Sequence, residues 1–245
     1  MPRVCRHATV PRMKLQFRCL PGWKGRIPEP RPATGNLPAW LKAMPRSAIS
    51  GIAGGEVRTV KQCPPFVDAM GAGVLFPLIA DLQVKDGVFE WDSGLPAHPL
   101  ARLTRSPIGL HLPEQLTGFP GADPASFAVK FTNPWTLQMP EGWSMLFSHP
   151  HNRPELPFRT LTGLVDAFPA GFVHFPALWT DPAFEGVVPA GTPVAQGVLV
   201  RREAVTISCG EMDDAELAAS LDLQDALDAD PGVYRKRFRT GPTGD

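Results

Sequence analysis

Proline and glycine occur so often in this chain that little of it can form long helices. The 245 residues include 29 prolines and 23 glycines, and 43% of the residues are hydrophobic. Proline removes a backbone donor and clashes with the preceding helical turn, while glycine favours turns. A chain of this length also has enough apolar side chains for a large core. The predicted fold class is therefore mostly β, with many short strands.

The charge balance argues against several classes of protein. Lys and Arg number 24, as do Asp and Glu, so the formal net charge is +0 and no global basic field suggests nucleic acid as a partner. No apolar run is long enough to span a membrane, and no signal peptide precedes the first segments. These features predict a cytoplasmic protein without a membrane partner.

The cysteines are too far apart to form a familiar motif. No C-x-x-C pair is present, which argues against a zinc ribbon and against a thioredoxin-type site. Reduced, buried thiols are the predicted state of these residues, which are Cys5, Cys19, Cys63 and Cys209.

Composition divides the chain into four parts. The first is basic and patternless, so it is predicted to be disordered, and Met13 is a candidate for the true start. Next come a strand and a proline-rich arm anchored by Trp23 and Trp40, then the β core, then a short acidic helix that begins near Asp213 and leads into a basic tail. The predicted parts are residues 1–12, 13–56, 57–209 and 210–245.

Alternation and turn residues place the strands of the core. Residues 135–139 and 143–148 are predicted to form a hairpin-like unit around Pro140-Glu141-Gly142. Asp86-Gly87 predicts a tight hairpin between 82–84 and 88–91. The remaining predicted strands are 75–84, 161–166, 171–175, 197–201 and 205–209, whereas 93–124 receives no assignment.

Three motifs occur in a recognisable order over about seventy residues: PEGW, GLVDAFPAG and PAGTPVAQGVLVRR. In order and spacing they resemble the core of the dUTPase and dCTP deaminase superfamily, which has a β-clip fold. The resemblance extends upstream to Cys63. The whole chain is more similar still to a family of bacterial and phage proteins of unknown function. The resemblance implies a β-clip, dUTPase-like distorted barrel, preceded by the proline-rich arm and followed by one short helix.

The resemblance also implies roles for particular residues. Asp166 lies where the superfamily has the aspartate that orients the attacking water, and Gln196 lies where it has a glutamine that touches phosphate. Gly163 and Gly171 match the glycines that flank the base pocket. Ser148 to His151 replaces the Arg-Ser phosphate loop, and the stacking tyrosine is replaced by Pro169, so an ordinary dUTPase is not expected. Next to the replaced loop, Asn152 and Arg153 supply donors for an anion.

A histidine cluster supports a different chemistry. His149 and His151 are separated by one residue in an extended segment, so both side chains can face one metal ion, with His174 or Asp166 as a further ligand. A divalent metal, zinc or non-haem iron, is the cofactor that this set would bind. Histidines beside prolines also cap loops by hydrogen bonding, and Pro150 separates the pair.

Three functions therefore remain open at the level of sequence. The first is a β-clip protein that binds a nucleotide or another anionic small molecule and, as a diverged hydrolase, uses Asp166. It implies a homo-oligomer, a trimer by resemblance, because that superfamily builds its sites between subunits. The second is a mononuclear metal enzyme. The third is a non-catalytic structural or phage-associated protein, in which the tryptophans and proline arms serve packing and interfaces.

Overall fold

The computed structural model describes residues 13–98, 102–120, 128–230 and 232–239. The predicted disordered extension 1–12 and the end of the basic tail lie outside these ranges. The described strands are β1 (Gln16–Arg18), β2 (Arg31–Pro32), β3 (Ser47–Ser50), β4 (Gly55–Arg58), β5 (Val74–Pro77), β6 (Leu82–Lys85), β7 (Val88–Glu90), β8 (Ile108–Leu110), β9 (Ala128–Phe131), β10 (Thr136–Gln138), β11 (Trp143–Ser148), β12 (Phe158–Thr160), β13 (Gly163–Asp166), β14 (Phe175–Trp179), β15 (Gly186–Val188) and β16 (Pro193–Arg201). The α-helices are α1 (Ala39–Ala43), α2 (Pro64–Gly71), α3 (Asp214–Ala229) and α4 (Val233–Arg237), and single 3-10 turns cover Val60–Gln62 and Pro113–Leu116.

The strands form several small antiparallel sheets, which confirms the predicted mostly-β class. The largest, here called the central sheet, has the order β13-β11-β16-β5-β2, and the second sheet has the order β12-β14-β9-β8. A three-stranded sheet, β15-β6-β7, and the pairs β1-β10 and β3-β4 complete the described set. None of the described helices is long and apolar enough to cross a membrane.

Side chains from the central and second sheets share one core. Phe76 of β5, Phe147 of β11 and Phe175 of β14 meet with ring centroids 5.1 to 5.3 Å apart. Tilted and edge-on aromatic pairs of this kind add stability beyond the area that they bury. Phe131 and Phe158 extend the cluster within the second sheet, with centroids 4.6 Å apart. Apolar side chains at alternating positions of these short strands therefore pack the two sheets against each other.

One close approach in the central sheet requires glycine. Gly73 precedes β5 with φ of 72°, and a Cβ there would lie 2.0 Å from the Gly197 carbonyl oxygen. The space at Gly197 is taken up in turn by Met145, whose Sδ would lie 2.4 Å from an added Cβ. Glycine at both positions lets the start of β5 pack directly on the backbone of β16.

The proline-rich arm contributes short strands to two of the sheets. Its first strand, β1, pairs with β10, and β2 pairs with β5 at the edge of the central sheet. Trp23 is 1% exposed, and its indole Nε1 donates to the Pro96 carbonyl at 3.0 Å. Trp23 is thus the anchor that was predicted. Trp40, the second predicted anchor, is only half-buried.

Local strand and turn predictions agree with the structure more often than pairing predictions do. The Asp86-Gly87 hairpin is confirmed: both residues have positive φ, 50° and 73°, and they join β6 to β7. The hairpin-like unit predicted for 135–148 is wrong, because β10 pairs with β1 while β11 pairs with β13 and β16. The turn at Gly142 forms, but the two strands that it joins belong to different sheets.

Three further strand predictions need correction. The single strand predicted at 75–84 is two strands in different sheets, β5 and β6, separated by residues 78–81. In 171–175 only Phe172 forms an isolated bridge, to Thr136, before β14 begins. Residues 205–209 are not a strand: Val205 and Ile207 are 82% and 81% exposed, and no strand pairs with this segment among the described residues.

The described cysteines are free, as predicted, but they are not buried. Cys19 is half-buried, whereas Cys63 and Cys209 are exposed. Burial raises the pKa of the Cys19 thiol, which keeps it protonated near neutral pH.

The chain divides into two compact units, one of which is Lys14–Arg202 and contains all the sheets. The described part of the other unit contains α3 and α4. The Asp213 side chain accepts from the Glu216 N–H at 2.8 Å, and Glu216 accepts from the Asp213 N–H at 3.0 Å, so a capping box begins α3. The helix predicted near Asp213 is therefore confirmed.

Candidate functional site

A cleft of about 530 Å³ lies beside the loop that follows β11. Its walls come from α1, α2, the 149–157 loop and β12. This space is called the Trp40 cleft, and the lining residues that matter for chemistry are Trp40, Phe66, His149, Asn152, Arg153 and Arg159. It therefore contains three residues that the sequence singled out, His149, Asn152 and Arg153.

Arg153 is held on the cleft wall by contacts with the proline-rich arm. Its Nη2 donates to the Asn36 carbonyl at 2.7 Å, and its Nη1 lies 3.7 Å from a Glu155 carboxylate oxygen. The side chain is 12% exposed, and burial lowers the pKa of the guanidinium. The charge of the nearby Arg31 acts in the same direction. Arg153 stays protonated, but its lowered pKa means that burial makes its positive charge less favourable. An anion bound next to the guanidinium would compensate for this lost hydration.

Arg159 adds a second positive charge to the cleft. It lies on β12 between the buried Phe158 and Thr160, so its side chain faces outward. Within the described ranges no carboxylate is close enough to form an ion pair with it. Its charge contributes to lowering the pKa of the His149 ring. Among the described residues Arg159 is thus a cation without a counterion, in a cleft that also contains Arg153 and an aromatic wall.

His149 acts as a neutral structural group in the loop. The Thr160 N–H donates to His149 Nδ1 at 3.3 Å, so Nδ1 carries no proton, and Nε2 lies 3.2 Å from the Arg153 carbonyl, to which it donates. Burial, the largest cause, lowers the pKa of the ring. Both ring nitrogens are therefore used to join β12 to the loop.

His151 and Gln196 close the end of α2. His151 Nδ1 donates to the Ala69 carbonyl at 2.7 Å, and its Nε2 lies 2.9 Å from Ser148 Oγ. Gln196, which is 1% exposed, accepts from the His151 N–H at 2.9 Å and donates to the Ala69 and Ala72 carbonyls at 3.0 and 2.6 Å. Carbonyls at a helix end lack the usual partners of the next helical turn. The Ala69 carbonyl accepts from the Ala72 N–H at 3.3 Å as well as from these side chains, and the Ala72 carbonyl accepts from Gln196. The Gln196 amide does not line the cleft.

The third histidine lies in a different part of the fold. His174 Nδ1 accepts from the Asn133 N–H at 3.2 Å, and burial lowers the pKa of its ring. Across the described ranges no three His, Cys, Asp or Glu side chains are placed to hold a metal ion together. The metal-enzyme hypothesis therefore gains no support from the geometry.

Asp166 lies on the edge strand β13, away from the cleft. Its Oδ1 accepts from Ser144 Oγ at 2.6 Å and from Arg202 Nη1 at 3.0 Å, and its side chain is 69% exposed. The Ser144 hydrogen bond, followed by the Arg202 charge, lowers the pKa of this carboxyl. Asp166 is therefore ionised at neutral pH, as a residue that orients water would have to be.

The structure does not bring Asp166 together, within one chain, with the residues that the sequence predicts to bind an anion, Asn152 and Arg153. On β11, Ser144 faces Asp166, and Ser148, at the other end of the strand, faces Gln196. Four residues of strand separate these points by about 13 Å. Gly163 begins β13, and Gly171 lies under the Phe168 ring, so neither lines the Trp40 cleft.

Comparison with solved structures identifies phage dUTPases as similar over part of the chain. One is a mutant of the Staphylococcus bacteriophage 80alpha dUTPase with dUpNHpp: the sequences are 13% identical, the match covers 44% of this chain and 89% of that one, and the TM-score is 0.26. Another is a mutant dUTPase from phage phi11 of S. aureus that coordinates a structural Mg(II) ion, with 14% identity, coverage of 44% and 98%, and a TM-score of 0.25. The chain resembles these dUTPases over less than half its length. No family model and no curated protein matches the chain.

Three residues of the cleft were missed as site residues by the sequence analysis. Trp40 was interpreted only as an anchor of the arm, and Phe66 and Arg159 were not singled out. The Phe-Arg-Thr alternation at 158–160 carries a signal for Arg159, because a cation between two buried neighbours must face outward. Trp40 and Phe66 lie far from the loop in sequence, so no local pattern connects them to it.

Proposed function

We propose that the protein binds a nucleotide-like anionic small molecule in the Trp40 cleft. The observation that carries the proposal is the unpaired Arg159 beside Arg153 in a cleft that also has aromatic walls. A ligand with both an anionic group and a planar ring satisfies the two halves of this lining at once. The volume, about 530 Å³, is within the range of pockets for small organic ligands.

The cationic half of the cleft suits phosphate or carboxylate groups. Arg153 is fixed by the Asn36 carbonyl, so its remaining guanidinium donors have a defined direction. Arginine donors in a fork recognise such oxygens with charge-assisted hydrogen bonds, which are stronger than neutral ones. Asn152, with φ of 54°, forms the turn that presents this part of the loop. An anion here would lie near two cations: Arg159 has no ion pair among the described residues, whereas Arg153 shares its charge with Glu155, whose carboxylate lies 3.7 Å away.

The aromatic half suits a planar ring. Trp40 and Phe66 pack edge to face with centroids 6.3 Å apart, and together they form one wall of the cleft. Aromatic side chains stack on any nucleobase, and each stacked base typically contributes about 1–3 kcal/mol of binding free energy. We therefore expect a nucleotide to bind more tightly than an inorganic polyphosphate of equal charge.

Hydrolysis would require Asp166 next to the bound ligand, whereas binding requires only the residues of the cleft. Asp166 lies about 13 Å along β11 from the loop of the cleft. A water molecule oriented by Asp166 can reach a ligand in the cleft only if the carboxylate comes from a second copy of the chain. The function proposed for a single chain is therefore binding.

Isothermal titration with dUTP, ATP and inorganic triphosphate tests this proposal. Arg159→Gln should weaken binding of all three by about tenfold or more, because a charge-assisted bond contributes roughly 1.5–3 kcal/mol. The matched control is Arg26→Gln, since Arg26 is exposed and does not line the cleft. Binding that is absent in the wild type, or that both variants reduce equally, would contradict the proposal.

A further inference from the structure

The hairpin formed by β3 and β4 has no further strand beside it among the described residues. Its register pairs Ala48 with Val57 and Ile49 with Glu56. Ile49 is 83% exposed, and Ile52 at the turn is fully exposed. An isolated two-stranded hairpin is only marginally stable in water, and an open strand edge pairs readily with another strand. Pairing of an open edge of this hairpin with another strand would therefore stabilise it.

The backbone groups on the open edge of β4 can be identified. The Thr59 N–H donates to the Arg46 carbonyl at 2.9 Å, so the Arg46 and Thr59 pair is a hydrogen-bonded one. Hydrogen-bonded and non-hydrogen-bonded pairs alternate along an antiparallel ladder. Val57 therefore points its N–H and carbonyl toward β3, whereas Glu56 and Arg58 point theirs outward. The open edge therefore presents two N–H donors and two carbonyl acceptors, one of each from Glu56 and from Arg58.

We propose that β4 pairs antiparallel with β4 of a second copy of this chain, about a two-fold axis at Val57. In this register Glu56 lies opposite Arg58 of the other copy, and Arg58 lies opposite its Glu56. These are the residues whose backbone groups point outward, so each pair exchanges both of its hydrogen bonds. The two strands join two hairpins into a four-stranded sheet.

Side chains agree with this register on both faces of the sheet. On one face two Glu-Arg pairs lie directly across the junction, and opposite charges in cross-strand pairs are stabilising. Arg58 has no carboxylate partner within the described part of its own chain. On the other face the observed Ala48 and Val57 pairing continues into its symmetry copy, which gives an apolar row of four side chains. Val57 is 37% exposed without this partner.

The other edge of the hairpin is less suited to self-pairing. By the same alternation, β3 presents Ser47 and Ile49 outward, and a two-fold axis at Ala48 would place Ser47 opposite Ile49. No charge pair forms in that arrangement. A two-fold contact through β4 uses the same patch on both copies, as symmetric dimers do.

Sedimentation velocity of the full chain from about 1 to 100 µM tests the proposal. The wild type should double its mass as the concentration rises. Glu56→Pro should prevent doubling, because proline removes an outward N–H that the hairpin itself does not use, and edge strands tolerate it. Far-UV circular dichroism and the melting temperature check that this variant is folded.

Charge exchange tests the register and does not depend on the proline variant. Arg58→Glu alone and Glu56→Arg alone place like charges opposite each other, so each should weaken the doubling about tenfold or more. The double variant Glu56→Arg with Arg58→Glu restores both pairs and should recover it. A mass that is the same for wild type and all variants at every concentration would overturn the proposal. Loss in both single variants without recovery in the double variant would overturn the register.

Discussion

At the scale of the residue, the contacts that the structure shows for Gln196 differ from the contact that its motif predicts. The resemblance predicted that its amide touches phosphate. In the structure the amide is completely engaged within the chain, with the His151 N–H and the carbonyls of Ala69 and Ala72. It joins the central sheet to the end of α2 and to the loop of the cleft. Its predicted role as a ligand would require these bonds to be broken.

Replacing Gln196 should therefore affect stability strongly. Gln196→Leu removes the partners that the half-buried His151 N–H and Ala72 carbonyl have in this buried side chain, which should cost about 2–4 kcal/mol of unfolding free energy. Urea denaturation measures this difference. Gln138→Leu is a suitable control because Gln138 is exposed on β10, and it should change the free energy by less than about 0.5 kcal/mol. Similar losses in the two variants would show that the Gln196 amide does not join these segments.

Protonation of His149 should destabilise the folded chain. Its pKa in the folded state is lowered from the ordinary 6.5, so below that pH the unfolded chain binds more protons than the folded one. The stability contributed by the neutral ring is present above pH 6.5 and lost as the pH falls toward the folded pKa. Unfolding free energies at pH 7 and pH 5 should differ less in His149→Gln than in the wild type. His174, whose pKa is also lowered, should preserve part of the slope. An unchanged difference would contradict this prediction.

At the scale of the element, the short helix α1 depends on a lysine from another segment. Lys61 Nζ donates to the Lys42 and Met44 carbonyls, at 2.7 and 2.8 Å, at the end of α1. A helix of one turn has little stability of its own, so such contacts decide its position. Because α1 carries Trp40, Lys61 fixes one wall of the cleft.

Lys61→Met should therefore loosen the aromatic wall without removing a cleft arginine. We expect dUTP to bind about three- to tenfold more weakly, whereas inorganic triphosphate, which does not use the wall, should bind as before. Lys85→Met on β6 is the matched control, since Lys85 is exposed and does not line the cleft. Titration calorimetry distinguishes the two ligands, and an equal loss for both would show that Lys61 acts through charge.

Local signals in the sequence predicted elements, but not their partners. Asp86-Gly87 specifies its turn because few residues adopt two successive positive φ angles, and Asp213 begins its helix through a capping box. The strand at 135–139 was predicted, yet its partner β1 lies more than a hundred residues earlier. The choice between two apolar strands depends on packing across the core, which no window of sequence contains.

Only part of the cleft could be predicted from sequence, because distant segments of the chain form it. Asn152 and Arg153 are neighbours in a loop rich in proline and polar residues, and such loops commonly hold binding residues. Trp40 and Phe66 reach the same cleft through two other segments. His149 and His151 are two residues apart and His174 follows 23 residues later, but the ring nitrogens of the three bond to the backbone of three different parts of the fold.

At the scale of the whole molecule, the charge balance has a consequence for solubility. With a formal net charge of +0 at pH 7, copies of the chain repel one another weakly at neutral pH. The polyethylene glycol concentration that precipitates the protein should therefore be lowest near pH 7 and should rise by pH 8.5. A minimum far from neutral pH would show that the net charge of the folded protein differs from the formal charge of its sequence.

The central strand of the central sheet is also the last strand among the residues that the structure describes. β16 lies between β11 and β5, so neither can complete its pairing before residue 201 has left the ribosome. Until then the emerging chain exposes open strand edges and apolar faces, the features that chaperones bind and that cause aggregation. Synthesis speed and chaperone supply should therefore affect how much of this protein a cell recovers in folded form.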